Sequence, residues 1–227
     1  MTDEPTSPFR REHFQRVDES DDAFFYATPR LVTHIDDAAI AAITRFYGTL
    51  IPQGGAILDL MSSWVSHLPV SGAYSSVVGL GMNAEELEAN PRLSHRVVQD
   101  LNKDPVLPFG AGAFDAAVVT VSVQYLTRPV EVFAEVGRVL RPGAPFAVAY
   151  SNRMFPTKAV AVWQAFGDRD HAELIGAYFR LSGRFGPPQA YDLSPGAGAD
   201  PVFMVVARTA PTDGNGRSAT GSSADDL

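Results

Sequence analysis

At 227 residues and 24.4 kDa, with 45% apolar and 19% charged residues and a mean hydropathy of −0.02, the chain has the size and balance of one α/β domain; collagen-like, coiled-coil and wholly disordered classes are excluded. It contains no cysteine, which removes disulfide frameworks, thiol nucleophiles, thiolate zinc sites and iron–sulfur clusters. The formal charge of −8, from 26 acidic against 18 basic residues of which only Lys103 and Lys158 are lysines, opposes binding to nucleic-acid backbones and to anionic membrane surfaces.

No apolar run reaches the roughly 18 residues of a membrane span, and residues 1–26 carry acids and prolines where a signal peptide needs a basic and then an apolar stretch, so a cytoplasmic protein is expected. Residues 1–23, with Pro5, Pro8 and the acidic run Asp18–Asp22, read as a mobile arm, and Phe24, Phe25 and Tyr26 as a lid or docking segment. Apolar residues at helical spacing predict a helix over Ile35–Leu50, stopped by Pro52–Gly55.

Short β-branched runs then predict strands at Ala56–Leu60, Ser76–Leu80, Arg96–Gln99, Ala116–Val121 and Phe146–Tyr150, followed by Ala190–Leu193 and Pro201–Arg208. Helices are expected between and after them at Asn83–Asn90, Pro129–Leu140, Ala159–Phe166 and Ala172–Leu181, with a short helical stretch in the segment after Met61. This alternation implies a Rossmann-like, doubly wound α/β fold: a mostly parallel sheet with helices on both faces. The domain is expected to run over residues 24–208, and residues 209–227, rich in Gly, Ser, Asp and Thr, to form a disordered tail.

In such folds ligands bind beyond the carboxyl ends of the strands. The first end delivers Asp59 into a polar turn, Met61-Ser62-Ser63-Trp64-Val65-Ser66-His67; Asp59 as a turn cap with Trp64 in the core is the plain alternative to a binding role. No Gly-x-Ser-x-Gly elbow makes Ser62 or Ser63 a nucleophile, no Gly-x-Gly-x-x-Gly marks a nicotinamide enzyme, and the five histidines show no metal-ligand spacing.

The block Leu107-Pro108-Phe109, Phe114-Asp115-Ala116-Ala117-Val118-Val119 and then Arg138-Val139-Leu140-Arg141-Pro142-Gly143 resembles class I S-adenosylmethionine-dependent methyltransferases. The likeness is to the small-molecule, type 11 branch, extends over roughly residues 36–208, and implies a seven-stranded sheet. The serine-rich turn itself resembles that of a narrower methyltransferase-like group carrying Asp-x-x-Ser-Ser-Trp-Val-Ser-His. The chain departs from the family twice. Met61, Ser63 and Val65 stand where three glycines usually follow the first strand, and Gly81 stands where a ribose-binding acid usually ends the second, so that Asn83, Glu85 or Glu86 would have to compensate.

The resemblance implies S-adenosyl-L-methionine as cofactor and a small-molecule acceptor as partner, with neither nucleic acid nor membrane involved. Its cofactor site would comprise Asp59, Met61, Ser62, Ser63, Gly81, Met82, Asp100 and Leu101, Asp100 facing the adenine amino group. His67 is the base expected after the first turn, and Tyr125 a group positioning the acceptor. Arg153, on the same rim, would pair an anionic substrate or form a surface ion pair. A non-catalytic nucleoside- or partner-binding module on the same fold is the alternative function.

Overall fold

The computed structural model describes residues 8–210, so the chain's first seven residues and most of the expected tail lie outside the described residues. Seven strands form one sheet: β1 (Ala56–Leu60), β2 (Ser76–Gly81), β3 (His95–Val98), β4 (Ala116–Thr120), β5 (Pro145–Ser151), β6 (Gln189–Asp192) and β7 (Val202–Arg208). Their order is β3-β2-β1-β4-β5-β7-β6, parallel from β3 to β5, with β7 antiparallel to both β5 and β6. The order reverses direction at β1 and β4, which places the crevice at the carboxyl ends of those strands.

Among the described residues six α-helices accompany the sheet: α1 (Asp22–Phe25), α2 (Asp37–Leu50), α3 (Ala84–Ala89), α4 (Pro129–Val139), α5 (Ala161–Gln164) and α6 (Asp168–Ser182). Their starts follow from local chemistry. The Asp36 carboxylate accepts from the Ala39 amide at 2.8 Å, Asn83 Oδ1 accepts from Glu85 and Glu86, and Pro129 opens α4 where its missing N–H costs nothing. Gly183, at φ 67°, ends α6 in the left-handed conformation that glycine adopts without strain.

The two faces of the sheet bury separate apolar clusters. On one, Leu58, Leu60, Val119, Phe146 and Val148 pack against Val132, Phe133 and Val136 of α4 and Ile175, Tyr178 and Phe179 of α6. On the other, Ile57, Val118, Ala147 and Met204 pack against Ala39, Ile43 and Tyr47 of α2 and Leu87 of α3. The mostly parallel seven-stranded sheet covered on both faces is the architecture the alternating pattern predicts.

Three expectations about helices differ from what is found. Residues 61–75, between β1 and β2, hold no helix; the connection is irregular and crosses the top of the sheet. The expected helix over Ala159–Phe166 shrinks to α5, and α6 begins at Asp168 rather than Ala172.

The largest difference is the arm. Phe9 and Phe14 pack on Tyr178 with ring centroids 5.5 and 6.3 Å away. Lys158 is fully buried beneath the arm, its Nζ 3.1 Å from both the Asp18 and Asp22 carboxylates and donating to the Ser20 carbonyl at 2.9 Å. Arg16 Nη1 reaches both oxygens of Asp22 at 2.8 Å. The acids of this segment are therefore the counter-charges of a buried ammonium, which composition alone reads as a solvated run. At the other end, buried Thr209 donates its hydroxyl to the Arg141 carbonyl, so order continues two residues past the expected limit.

Candidate functional site

The turn after β1 is built around a buried acid. Asp59 is 3% exposed and accepts from the Ser62 hydroxyl at 2.6 Å; burial pushes its carboxyl up to about 7 against the Ser62 and Ser66 hydroxyls, which pull it down. Met61 takes a positive φ of 55°, and the Ser62 amide then donates to the Leu80 carbonyl at 2.8 Å, drawing the turn over the end of β2. A Cβ at Gly81 would lie 2.1 Å from the Ser62 carbonyl oxygen, so an acid at that position has no room. The two departures from the family pattern are thus one: the turn that replaces the glycine loop occupies the space of the missing carboxylate.

The compensating acid is Glu86 of α3. Buried to 8% exposure, it accepts from the Ser63 hydroxyl at 2.6 Å and from the Arg30 amide at 2.7 Å, while Asn83 ties the segment before α2 by donating to the Tyr26 and Ala27 carbonyls. Of the three compensating residues considered, Glu85 is exposed and Asn83 is committed to capping α3 and to these carbonyls.

A cleft opens between these elements. Met61, Ser62 and Ser63 form one end, Gly81, Met82 and Glu86 the middle, and Asp100, Leu101 and Asn102 after β3 the other end, with Tyr125 and Phe155 along the far wall. Asp100 accepts from the Asn102 amide at 2.9 Å through Oδ1, and its Oδ2 stands 3.8 Å from Lys103 Nζ, so it both caps its turn and lines the cleft. Asn102 donates to Asp22 Oδ2 at 2.9 Å and to the Tyr125 carbonyl at 3.0 Å, joining the arm to the cleft wall.

Of the sequence-derived site residues, Met61, Ser62, Ser63, Gly81, Met82, Asp100, Leu101 and Tyr125 meet in this cleft, whereas Asp59 lies beneath the turn and His67 does not line it. His67 is held at φ 53° with its carbonyl accepting from Thr44 Oγ1; burial pushes its imidazole down to about 4, and Nδ1 has no hydrogen-bond partner. Trp64 is half-buried and donates to the Val32 carbonyl at 3.0 Å, a tether rather than a core residue. Arg153 is engaged by Asp200, with Nε and Nη2 at 2.7 and 2.6 Å from one carboxylate oxygen, which is the ion-pair alternative of the two considered.

Sequence reasoning missed Arg30 and His34. Both lie ahead of α2 in a stretch with no periodicity, and only the fold brings them to the cleft, with Arg30 over the Phe25 ring at 4.4 Å and the His34 ring edge-on to Phe155 at 5.1 Å. A smaller pocket lined by His34, Val121, Tyr125, Arg153, Met154 and Phe155 adjoins the main cleft, sharing His34, Tyr125 and Phe155 with it.

The donor set suits S-adenosylmethionine. Apolar Leu80, Met82, Leu101 and Leu126 offer a slot for a flat base, two carboxylates suit an amine and ribose hydroxyls, and the serine hydroxyls, whose protons go to Asp59 and Glu86, can accept from the ammonium of an amino-acid end. Among the described residues no group of acidic or histidine side chains is placed to hold a metal ion, and no helix is long and apolar enough to cross a membrane.

Comparison with known proteins agrees with this geometry. Residues 62–148 match the family model described as a methyltransferase domain, Methyltransf_11. A search of curated proteins finds no match. Similar solved structures include an S-adenosylmethionine-dependent methyltransferase from Aquifex aeolicus at 15% identity (TM-score 0.55, covering 78% of this chain and 91% of the other). Another, from Mesorhizobium loti, is 17% identical (TM-score 0.52, 74% and 98% covered), and the [4+2]-cyclase SpnF is 15% identical (TM-score 0.56, 74% and 81% covered). At such identities these likenesses establish the fold, and the cyclase among them shows that the fold alone does not fix the reaction. Residues 62–148 thus match a methyltransferase domain, and they lie within a seven-stranded sheet whose fold is that of S-adenosylmethionine-dependent methyltransferases.

Proposed function

We propose that this protein transfers a methyl group from S-adenosyl-L-methionine to a small-molecule acceptor. The observation that carries the proposal is the single cleft in which Ser62 and Ser63, Glu86, and Asp100 with Leu101 succeed one another along the carboxyl ends of β1, β2 and β3. In this reading Asp100 accepts from the adenine amino group, Glu86 accepts from ribose hydroxyls in place of an acid at Gly81, and the serine hydroxyls address the amino-acid end. Asp59 fixes the turn by holding Ser62.

The cofactor, when bound, supplies a methyl group already activated on a sulfonium. The chain's own work is then to align an acceptor and exclude water. Tyr125 serves this positioning: its hydroxyl accepts from the Phe155 amide at 2.8 Å and keeps its own proton to donate into the smaller pocket, where the acceptor sits. Burial raises the Tyr125 phenol above its ordinary range, so it acts as a neutral donor.

Calorimetry on the full chain with S-adenosylmethionine and S-adenosylhomocysteine tests the reading, together with transfer of labelled methyl to a metabolite panel. Both ligands are expected to bind, and Asp100→Ala to weaken binding by about 1–3 kcal/mol through a lost buried hydrogen bond. Absence of binding overturns the proposal. Binding of both ligands with no transfer to any acceptor supports the binding-module function in its place.

A further inference from the structure

The geometry points to His34, rather than His67, as the proton acceptor of the reaction, standing where the cofactor cleft opens into the smaller pocket. This rests on the proposed methyl transfer. Five histidines are present, and four are placed elsewhere. His171 is stacked flat on Trp163 at 3.8 Å and bonded to its carbonyl, His95 shares a hydrogen bond with Ser94 on the outer strand, His13 packs against Phe9 on the arm, and His67 lies behind the first turn. Only His34 lines the cleft, and it lines the adjoining pocket as well.

Neither ring nitrogen of His34 has a hydrogen-bond partner among the described residues, and the ring is located by its edge-on contact with Phe155, 5.1 Å between centroids. It is thus oriented by packing while its nitrogens stay free for a ligand. The charged and titratable groups around it are Arg30 on its own segment, Glu86 of α3, Tyr125 after β4 and Arg153 after β5. Desolvation first, and then the Arg30 charge, lower its pKa, with Glu86 opposing; the imidazole is therefore neutral near pH 7 and able to take a proton.

The step balances without a further reactant. A lone pair on the acceptor heteroatom forms the bond to the methyl carbon, the carbon–sulfur bond breaks with its electron pair passing to sulfur, and the heteroatom's proton passes to a His34 nitrogen. The products are methylated acceptor, S-adenosylhomocysteine and an imidazolium that returns its proton to solvent. A base so placed serves an acceptor that carries a proton on its nucleophilic atom, such as a hydroxyl or an N–H.

The test is an NMR titration of the histidine ring protons of the full chain, saturated in turn with S-adenosylmethionine and S-adenosylhomocysteine. These ligands differ at sulfur by one positive charge, and a base within reach of the methyl group must sense it. The His34 resonance is identified by its loss in His34→Asn and, independently, by cross-peaks to the Phe155 ring. It is expected to titrate about 0.5 pH units or more lower with the sulfonium than with the thioether. Equal titration in the two complexes, or a shift confined to His67, overturns the assignment. Failure of both ligands to bind by calorimetry overturns the methyl-transfer reading as well, whereas binding with an unmoved His34 overturns only the inference about this residue.

Discussion

The block that carries the family resemblance and the cleft that carries the chemistry are different parts of the molecule. Glu135 of α4, between the block's parts, accepts from the Leu107 amide and from Arg138, and Arg138 in turn donates to the Phe109 and Leu107 carbonyls. Asp115 accepts from the Ala56 amide at 2.8 Å and pairs with Arg141. These motif residues hold the segment before β4 to α4 and β1, and none of them lines the cleft. The cleft draws instead on the segment ahead of α2, the β1 turn, the start of α3 and the residues after β3, where the chain departs from the usual glycine loop and ribose-binding acid. A motif can be specific because it encodes a frame, and the reacting groups are then found only once that frame is built.

Five substitutions sharpen this contrast, the first four in decreasing order of expected effect. Asp22→Ala strips a counter-charge from buried Lys158 and from Arg16, and it is expected to cost about 3–5 kcal/mol of stability, measured by urea unfolding. An effect below about 1 kcal/mol would mean that the arm does not pack as described. Gly81→Asp supplies the acid that family members carry, yet its Cβ meets the Ser62 carbonyl; it is expected to destabilise by about 1–3 kcal/mol and to leave cofactor affinity no better. A gain in affinity would show that the turn yields.

Glu135→Gln and Glu86→Gln form a matched pair. The first, in the frame, is expected to lower stability by about 1–2 kcal/mol with unchanged affinity for S-adenosylhomocysteine; the second, in the cleft, should weaken binding about tenfold while changing the melting temperature less. Reversal of that pattern would erase the distinction between frame and site.

The fifth is read as a pH dependence. The Asp59 carboxyl is raised from its ordinary range to about 7, so between about pH 4 and 7 the unfolded chain has lost a proton that the folded chain retains. Stability attributable to this group therefore falls as pH rises through that window and is level above it. Asp59→Asn keeps an acceptor for Ser62 and cannot ionise, so the melting temperature of the variant relative to the parent should rise from pH 4 to pH 8. A difference independent of pH would show that Asp59 titrates normally.

Much of the architecture was legible in the sequence because parallel strands buried on both faces leave short apolar runs, and β1, β2, β4 and β5 lie within a residue or so of where those runs place them. The arm was not legible: Asp18 and Asp22 have the composition of a solvated tail, and their partner Lys158 is far away in sequence. Nor was the helix-free connection after β1, because the Ser62–Leu80 hydrogen bond that sets its path joins the turn to a separate strand, β2. For the site, strand ends place Met61–Ser63, Gly81 and Asp100 where the cleft lies, since position after a strand is a topological property. They do not foretell that His67, with its left-handed backbone, stands outside the cleft, or that His34, which no strand end announces, lines it.

The central claim is that the serine turn, Glu86 and Asp100 together hold S-adenosylmethionine. A crystal structure of the full chain with S-adenosylhomocysteine tests it most directly. The expected complex has the adenine at Asp100 and Leu101, the ribose hydroxyls on Glu86, and the amino-acid end against Ser62 and Ser63. Density for the ligand away from these residues, or no density at a saturating concentration, would contradict it.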